Sequence, residues 1–223
     1  MNRPKPAYLL RTSESQYIMD LLNLGKVYMK SLSYYADEKT HNSAKDDRNE
    51  GRWLDSGYVW IGAESNKFRV KNVRHSGYIY CFTGFEDNIF NKEHPYRFRN
   101  QTDSDRLGDK TILIWNPKEF NRRLVEALKN RGFQVQSDWV SYDVVSEDQY
   151  KTGELLSPFH KSKDDYNWEG EFRYFVPSTC VEDHLEEELG PLNDIACIME
   201  KGMRYDLIHM HDDVFEVFSS LDV

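Results

Sequence analysis

Apolar residues recur at helical spacing in two parts of the chain. The predicted buried faces consist of Tyr17, Leu21 and Leu24, with Ile18 beside them, in a first helix and of Phe120, Leu124 and Leu128 in a second. Thr12 or Ser13 can cap the first helix, and Gly25 follows it where left-handed backbone geometry often ends a helix. Asn116-Pro117 opens the second helix in the preferred order of cap and proline, and Gly132 closes it. Each helix is therefore predicted to bury one apolar stripe.

Short runs of aromatic and β-branched residues predict the strands. They are residues 8–10, 26–29, 58–61, 67–73, 78–82, 111–115, 133–145, 195–199 and 214–218. Residues 182–188 are strongly acidic and predict a surface helix, and the polar stretches 37–51 and 86–110 predict long loops. The pattern indicates one α+β domain over residues 1–223, with a mixed or antiparallel sheet and flanking helices. Its core is expected at about residues 7–200 and a C-terminal elaboration at 201–223.

The balance of charges narrows the classes of partner. The 223 residues include 38 acidic and 29 basic side chains, and the net charge is −9. A protein that binds nucleic acid by general electrostatic attraction has a surplus of Lys and Arg. This chain is therefore a poor general polyanion binder, although a local basic cleft can still admit RNA. Aromatic residues, at 14%, supply enough buried area for a core.

Several observations favour a cytoplasmic protein that has no contact with a membrane. No run of about 18 apolar residues is present, and the first residues lack the apolar stretch of a signal peptide. Cys81, Cys180 and Cys197 are scattered, which is typical of reduced thiols and not of a disulfide frame or zinc site. Cys81 is expected to be a small buried residue and not a nucleophile, because no basic residues are visible around it.

Residues 167–176 (NWEGEFRYFV) carry the most specific pattern. In a strand, alternate side chains point to opposite faces. One face then carries Glu169, Glu171 and Arg173, and the other carries Phe172, Tyr174 and Val176. Two interpretations remain open. The charged face is either a solvated face on which the arginine pairs with a glutamate, or a pair of catalytic carboxylates on a rigid strand. In the second case one carboxyl has a raised pKa unless the arginine offsets the repulsion.

The order of several short motifs resembles an uncharacterised bacterial domain family that is common beside phage-defence and toxin–antitoxin genes. The corresponding segments are residues 22–25 (LNLG), 28–33 (YMKSLS), 49–51 (NEG), 81–83 (CFT), 159–161 (FHK) and 168–173 (WEGEFR). Here Trp168 directly precedes Glu169, and Thr83 stands where the family commonly has serine. The resemblance covers most of residues 8–200. It implies a toxin-like defence protein, with an antitoxin or chaperone as a partner.

The same order is similar to that of the ADP-ribosyltransferases. Those enzymes carry an arginine or histidine at the end of the first core strand, a small hydroxyl residue in a middle strand, and a late Glu/Gln-x-Glu motif. Arg11, Thr83 and Glu169-x-Glu171 occur in that order here. The resemblance implies an ADP-ribosyltransferase-like fold and an enzyme that consumes NAD, with no metal, to modify RNA or a protein.

The resemblance also implies roles for individual residues. Breaking the nicotinamide–ribose bond builds positive charge on the ribose, which a fixed carboxylate such as Glu171 stabilises, while Glu169 orients the acceptor or takes its proton. Arg11 is expected to bind the diphosphate of NAD, and Tyr28, Tyr34 or Tyr35 to stack on nicotinamide. Thr12, Ser31 and Thr83 are expected to bind NAD together with Arg11 and Tyr28. The expected target-binding residues are His160, Lys161 and Arg173.

Two other functions fit the sequence. A metal-dependent nuclease could use Asp46, Asp47 and Glu50 together with the two glutamates of the late motif. A binding or sensor module without enzymatic activity could make its contacts through the long loops. Residues 209–213 (HMHDD) have metal-ligand side chains but lack a third or fourth ligand at a defined spacing, so no metal site is expected there.

Overall fold

A computed structural model describes residues 4–35, 58–60, 67–69, 76–86, 108–142, 158–161, 170–179 and 182–199. The predicted strand at 214–218, the C-terminal elaboration at 201–223 and most of both predicted loops lie outside these residues.

The described residues form an α+β fold with an antiparallel sheet, as the pattern predicts. The strands are β1 (Tyr8–Ser13), β2 (Lys26–Ser31), β3 (Tyr58–Trp60), β4 (Lys67–Arg69), β5 (Gly77–Phe85), β6 (Lys110–Ile114), β7 (Gln136–Trp139), β8 (Glu171–Pro177), β9 (His184–Glu188) and β10 (Ala196–Met199). The helices are α1 (Ser15–Leu24), the single turn α2 (Leu32–Tyr35) and α3 (Pro117–Asn130). Strands β3 and β4 form a separate two-stranded sheet.

The chain divides into two compact units. The first unit comprises residues 1–27, 82–127 and 187–223, and the second comprises residues 28–81 and 128–186. Strand β5 contributes residues 82–85 to the first unit and residues 77–81 to the second. The single domain expected from the sequence remains a prediction.

Strand β1 lies between β6 and β5 in the first unit, and β10 pairs with β6. Directly opposed residues of antiparallel strands share a face of the sheet. Leu10 lies opposite Thr83 on β5 and Leu113 on β6, so these three side chains share one face. Leu9 and Arg11 point to the other face, where Leu9 is completely buried.

The start of helix α1 differs from the prediction. Thr12 and Ser13 belong to β1, and Glu14 occupies the cap position without a side-chain hydrogen bond to the helix. The carboxylate of Asp109 accepts hydrogen bonds from the backbone N–H of Ser15 at 2.7 Å and from its hydroxyl at 2.6 Å. A residue 94 positions away thus supplies the cap, which no local sequence pattern can reveal.

The buried face of α1 is also shifted from the predicted one. Ile18 and Leu21 are buried as predicted, and Leu22 is buried with them, whereas Tyr17 and Leu24 are 45% and 47% exposed. Both sets satisfy helical periodicity, because the apolar stripe of this helix is broad. The packing of α1 on β1 and β6 selects one of the two sets.

Helix α3 follows its prediction closely. Pro117 is its first residue, and the side-chain oxygen of Asn116 accepts a hydrogen bond from the backbone N–H of Glu119 at 3.1 Å. The predicted face of Phe120, Leu124 and Leu128 is completely buried. The cap residue, the proline at the first turn and the helical spacing of apolar residues all indicate the same helix. The local sequence is therefore sufficient to predict its start and its buried face.

Among the strands whose burial the structure describes, the most deeply buried one, β8, lies in the second unit. Strand β8 lies between β7 and β5, and β2 lies between β5 and β9. Every residue of β8 from Glu171 to Val176 is buried, on both faces of the strand. A charged side chain on β8 is therefore enclosed by protein.

Residues 182–188 do not form the predicted surface helix, and most of them belong to strand β9. Leu185 is the one apolar residue in this segment and is buried. The backbone N–H of Ser31 donates to the carbonyl of Asp183 at 3.1 Å. A helix needs an apolar stripe to pack, whereas a strand can be held by backbone hydrogen bonds and one buried side chain.

Gly25 ends α1 in the predicted left-handed conformation, with φ of 66°. Its N–H donates to the carbonyl of Leu21 at 3.0 Å, and its own carbonyl accepts from Leu189 at 3.1 Å. A Cβ at this position would overlap the carbonyl oxygen of Gly190. Both backbone geometry and close packing therefore require glycine here.

We expect Gly25→Ala to lower the free energy of unfolding by about 3 kcal/mol or more, because strain and steric overlap add. Gly132→Ala is the matched control, since Gly132 has φ of 83° but nothing within 4 Å of its added Cβ. The free energy of unfolding of that variant should fall by only about 1–2 kcal/mol, the cost of placing a side chain in the left-handed backbone region. Chemical denaturation measures both, and equal losses would contradict the role of the Gly190 contact.

Candidate functional site

The side chain of Glu171 lies at the start of β8 and is only 3% exposed. The strand is held in place there by its backbone. The N–H of Glu171 donates to the hydroxyl of Tyr142 at 3.0 Å, and its carbonyl accepts from Val140 at 2.9 Å. The carboxylate therefore has a defined position and direction.

Three side chains bind this carboxylate. Arg173 Nε donates to Oε1 at 2.6 Å, and Lys161 Nζ lies 2.9 Å from Oε2. The thiol of Cys81, on β5, hydrogen-bonds to the same carboxylate. We call Cys81, Lys161, Glu171 and Arg173 the Glu171 cluster; all four belong to the second unit.

A short segment of chain brings Lys161 to the cluster. Ser141 N–H donates to the carbonyl of Phe159 at 2.8 Å, and Lys161 N–H donates to the carbonyl of Ser141 at 3.0 Å. Arg173 Nη1 also donates to the carbonyl of Pro158. Residues 158–161 are thus tied to both Ser141 and β8, and this sets the position of Lys161.

The charges in the cluster determine its protonation. Burial by itself would raise the pKa of Glu171, but the charges of Arg173 and Lys161, with the hydrogen bonds to the carboxylate, hold it well below its ordinary value of 4.5. Burial and the negative charge of Glu171 raise the pKa of the Cys81 thiol well above 9.0, against the opposing effect of the two cations. At neutral pH these shifts favour an ionised carboxylate and a protonated thiol.

These observations correct two expectations. The charged face of β8 is not solvated, because Glu171 is 3% and Arg173 is 0% exposed; the expected pairing of arginine with glutamate is confirmed. Cys81 does have basic neighbours, Lys161 and Arg173, which lie far from it in sequence. Burial nevertheless raises the pKa of its thiol well above the ordinary value.

The expected NAD-binding residues of β1 and β5 lie in the first unit. Thr12 shares a hydrogen bond of 2.9 Å with the hydroxyl of Thr111, and Thr83 lies opposite Leu10. Arg11 lies opposite Ile112 and points to the sheet face opposite that of Thr12 and Thr83. Within the first unit, Arg11 is therefore not brought together with these two hydroxyl residues.

The other two expected NAD-binding residues lie in the second unit. Ser31 is buried, and its hydroxyl accepts a hydrogen bond from the backbone N–H of Tyr34 at 3.2 Å, so it caps the single turn α2. Tyr28 stacks on His184 with ring centroids 4.4 Å apart, and Lys30 Nζ lies 4.9 Å from the centre of the Tyr28 ring. These contacts explain both side chains structurally.

The remaining candidates separate into described and undescribed residues. His160 forms an isolated bridge with Ser141, next to Lys161. Three candidates lie outside the described residues. They are Glu169, the nuclease set Asp46, Asp47 and Glu50, and residues 209–213.

In the described part of the chain, no three His, Cys, Asp or Glu side chains are grouped so that they could hold a metal ion. Among the same residues, no helix is long and apolar enough to cross a membrane.

The sequence pattern missed Cys81 and Tyr142 as parts of the site. Strand alternation predicts the face of Cys81 on β5, but nothing local predicts that β5 lies beside β8. The Tyr142 contact spans 29 positions. Both residues could be found only from the strand pairing.

Comparison with known proteins adds no relative from which a role could be transferred. No protein-family model, no curated protein and no solved structure matches this chain. The geometry of the Glu171 cluster and the sequence motifs that contain its residues are therefore the only guides to a function.

Arg173→Met should lower the free energy of unfolding by about 3–5 kcal/mol, because it leaves a buried carboxylate with one cation fewer. Glu171→Leu should cost a similar amount, and the double variant should cost clearly less than the sum. Arg122→Met is the control, since Arg122 is exposed and pairs with Glu119 and Glu126 on the surface; it should change little. Additive losses in a double-mutant cycle, measured by denaturation, would show that the two side chains do not interact.

The pKa of Glu171 also predicts a pH dependence. The folded-state pKa lies below the unfolded value of 4.5, so the contribution to stability is complete above that pH. It is lost as the pH falls below about 4.5, because the unfolded state then binds a proton that the folded state does not. The difference in free energy of unfolding between the wild type and Glu171→Gln should therefore shrink on acidification from pH ~6 to ~3. A constant difference would show that Glu171 has an ordinary pKa.

Proposed function

We propose that this chain is an NAD-consuming ADP-ribosyltransferase, with an ADP-ribosyltransferase-like fold, that acts as a toxin-like effector in phage defence or a toxin–antitoxin system. The observation that supports the proposal is the Glu171 cluster. It places an ionised carboxylate next to two cations at the start of a rigid strand, and Glu171 and Arg173 belong to the one motif that is specific in the sequence. The target is RNA or a protein, and an antitoxin or chaperone restrains the activity.

The geometry favours different roles for the two glutamates. Both oxygens of Glu171 bind cations, and the side chain is almost completely buried. Glu171 is therefore the positioning residue, which orients Lys161 and Arg173. Glu169, two positions earlier in the motif, is the proposed catalytic carboxylate that stabilises positive charge on the ribose.

Lys161 is the proposed contact to a phosphate of NAD or of the target. Its side chain is 10% exposed, whereas the side chain of Arg173 is not exposed at all. A lysine held by a carboxylate has little freedom left to lose when it binds an anion, so the site is preorganised. Arg173 then serves to fix Glu171 and the carbonyl of Pro158.

The direct experiment is transfer of label from NAD to a cell lysate, followed by separate digestion with protease and with nuclease. Glu169→Gln should reduce transfer on the order of hundred-fold or more, with its melting temperature measured alongside. Glu171→Gln should reduce both transfer and the melting temperature. Glu188→Gln, at an exposed strand carboxylate, is the matched control and should retain activity.

Two further outcomes decide the proposal. NAD should raise the melting temperature of the wild type by mass action. If the wild type neither transfers label nor releases nicotinamide at millimolar NAD, and NAD leaves its melting temperature unchanged, the enzyme assignment is wrong.

One observation favours a second candidate, a binding module without enzymatic activity. A buried ion pair whose carboxylate is fully engaged can serve stability alone. In that case the phenotype of the protein should survive Glu169→Gln. A metal-dependent nuclease is less favoured, because a divalent ion at Glu171 would have to displace Lys161 or Arg173 from the carboxylate oxygens.

A further inference from the structure

Cys81 adds a second acid to the Glu171 cluster. It is a half-buried cysteine on β5, and its thiol hydrogen-bonds to the carboxylate of Glu171. Two cations, Lys161 and Arg173, bind the same carboxylate. Their charges also act to lower the pKa of the Cys81 thiol. The sequence motifs assign no role to this thiol.

We propose that Cys81 and Glu171 form one acid–base pair that holds a single proton, and that Lys161 and Arg173 stabilise whichever member of the pair is the anion. In the resting arrangement the proton is on the sulfur. Transfer of that proton from Sγ of Cys81 to a carboxylate oxygen of Glu171 gives a thiolate and a carboxylic acid. No other bond changes.

Cys81 and Glu171 hold a single proton because the two acids are in contact at a poorly solvated site. Two adjacent anions would repel each other there, so ionisation of one group keeps the proton on the other. Glu171 is the resting anion because a carboxyl is intrinsically the stronger acid and its oxygens contact both cations directly.

The consequence is a concealed nucleophile. A ligand or a substitution that removes the negative charge of Glu171 leaves Cys81 beside two cations, which favour the thiolate. The site would then contain a reactive sulfur that its resting state does not show. This inference does not depend on the proposed activity, and its test requires no NAD.

The test is the rate of alkylation by iodoacetamide, measured for each cysteine by peptide mass spectrometry at one slightly alkaline pH. Glu171→Gln keeps the size of the side chain and removes its charge. It should raise the rate at Cys81 by about tenfold or more, since each unit of pKa changes the thiolate fraction tenfold. The double variant with Lys161→Met should lose most of that gain.

Cys197 is the matched internal control. It is the other cysteine among the described residues, lies on β10 in the first unit, and has a pKa raised by burial alone. Its rate should be the same in all variants. An unchanged rate at Cys81 in a folded Glu171→Gln variant would overturn the proposal, as would a double variant that keeps the whole gain.

If the alkylation rate rises at Cys197 as well, the Glu171→Gln variant has unfolded. A second measurement, on the wild type, then tests the proposal. The S–H stretching band of Cys81 is obtained from the infrared difference between the wild type and Cys81→Ser, a variant that keeps a hydrogen-bond donor. Donation to an ionised carboxylate should place this band at a lower frequency than the S–H band of Cys197. Equal frequencies would overturn the proposal.

Discussion

A buried carboxylate must be paired, and the second unit is arranged around this requirement. Removing Glu171 from water costs several kcal/mol unless cations and hydrogen bonds replace the lost hydration. Arg173 supplies one cation from the same strand, and Lys161 supplies the other from a segment tied to Ser141. The position of residues 158–161 thus allows Glu171 to be buried on β8, because this segment supplies the second cation.

The same pairing determines what chemistry the cluster can perform. Because both carboxylate oxygens are engaged, Glu171 orients its neighbours and holds their protonation states. It lowers the acidity of Cys81 and at the same time fixes the ammonium of Lys161. We propose that the cluster binds an anion through Lys161 and shares one proton between Cys81 and Glu171, and that another carboxylate, Glu169, stabilises the developing cation.

Strand alternation correctly predicted which side chains share a face of a strand, but it could not predict whether that face is buried. It correctly placed Glu171 and Arg173 on one face of β8 and Phe172 on the other, because the period of two is a property of the backbone. It could not show that both faces are buried, since that depends on what packs against the sheet. For the same reason it could not show that Arg11 and Thr83 point to opposite faces of the first unit, which follows from the register of β1 against β5.

The sequence by itself determined the α+β class, helix α3 with its cap, and the left-handed end of α1 at Gly25. It also offered the pairing of Arg173 with a glutamate, as one of two interpretations of the charged face. These features depend on residues close together in the chain. Only the tertiary structure decided that Asp109 caps α1, that residues 182–188 pair as a strand, and that Lys161 and Cys81 join Glu171. Each of these depends on strand order or on contacts across many positions, and hydrophobic periodicity contains no information about which distant segments become neighbours.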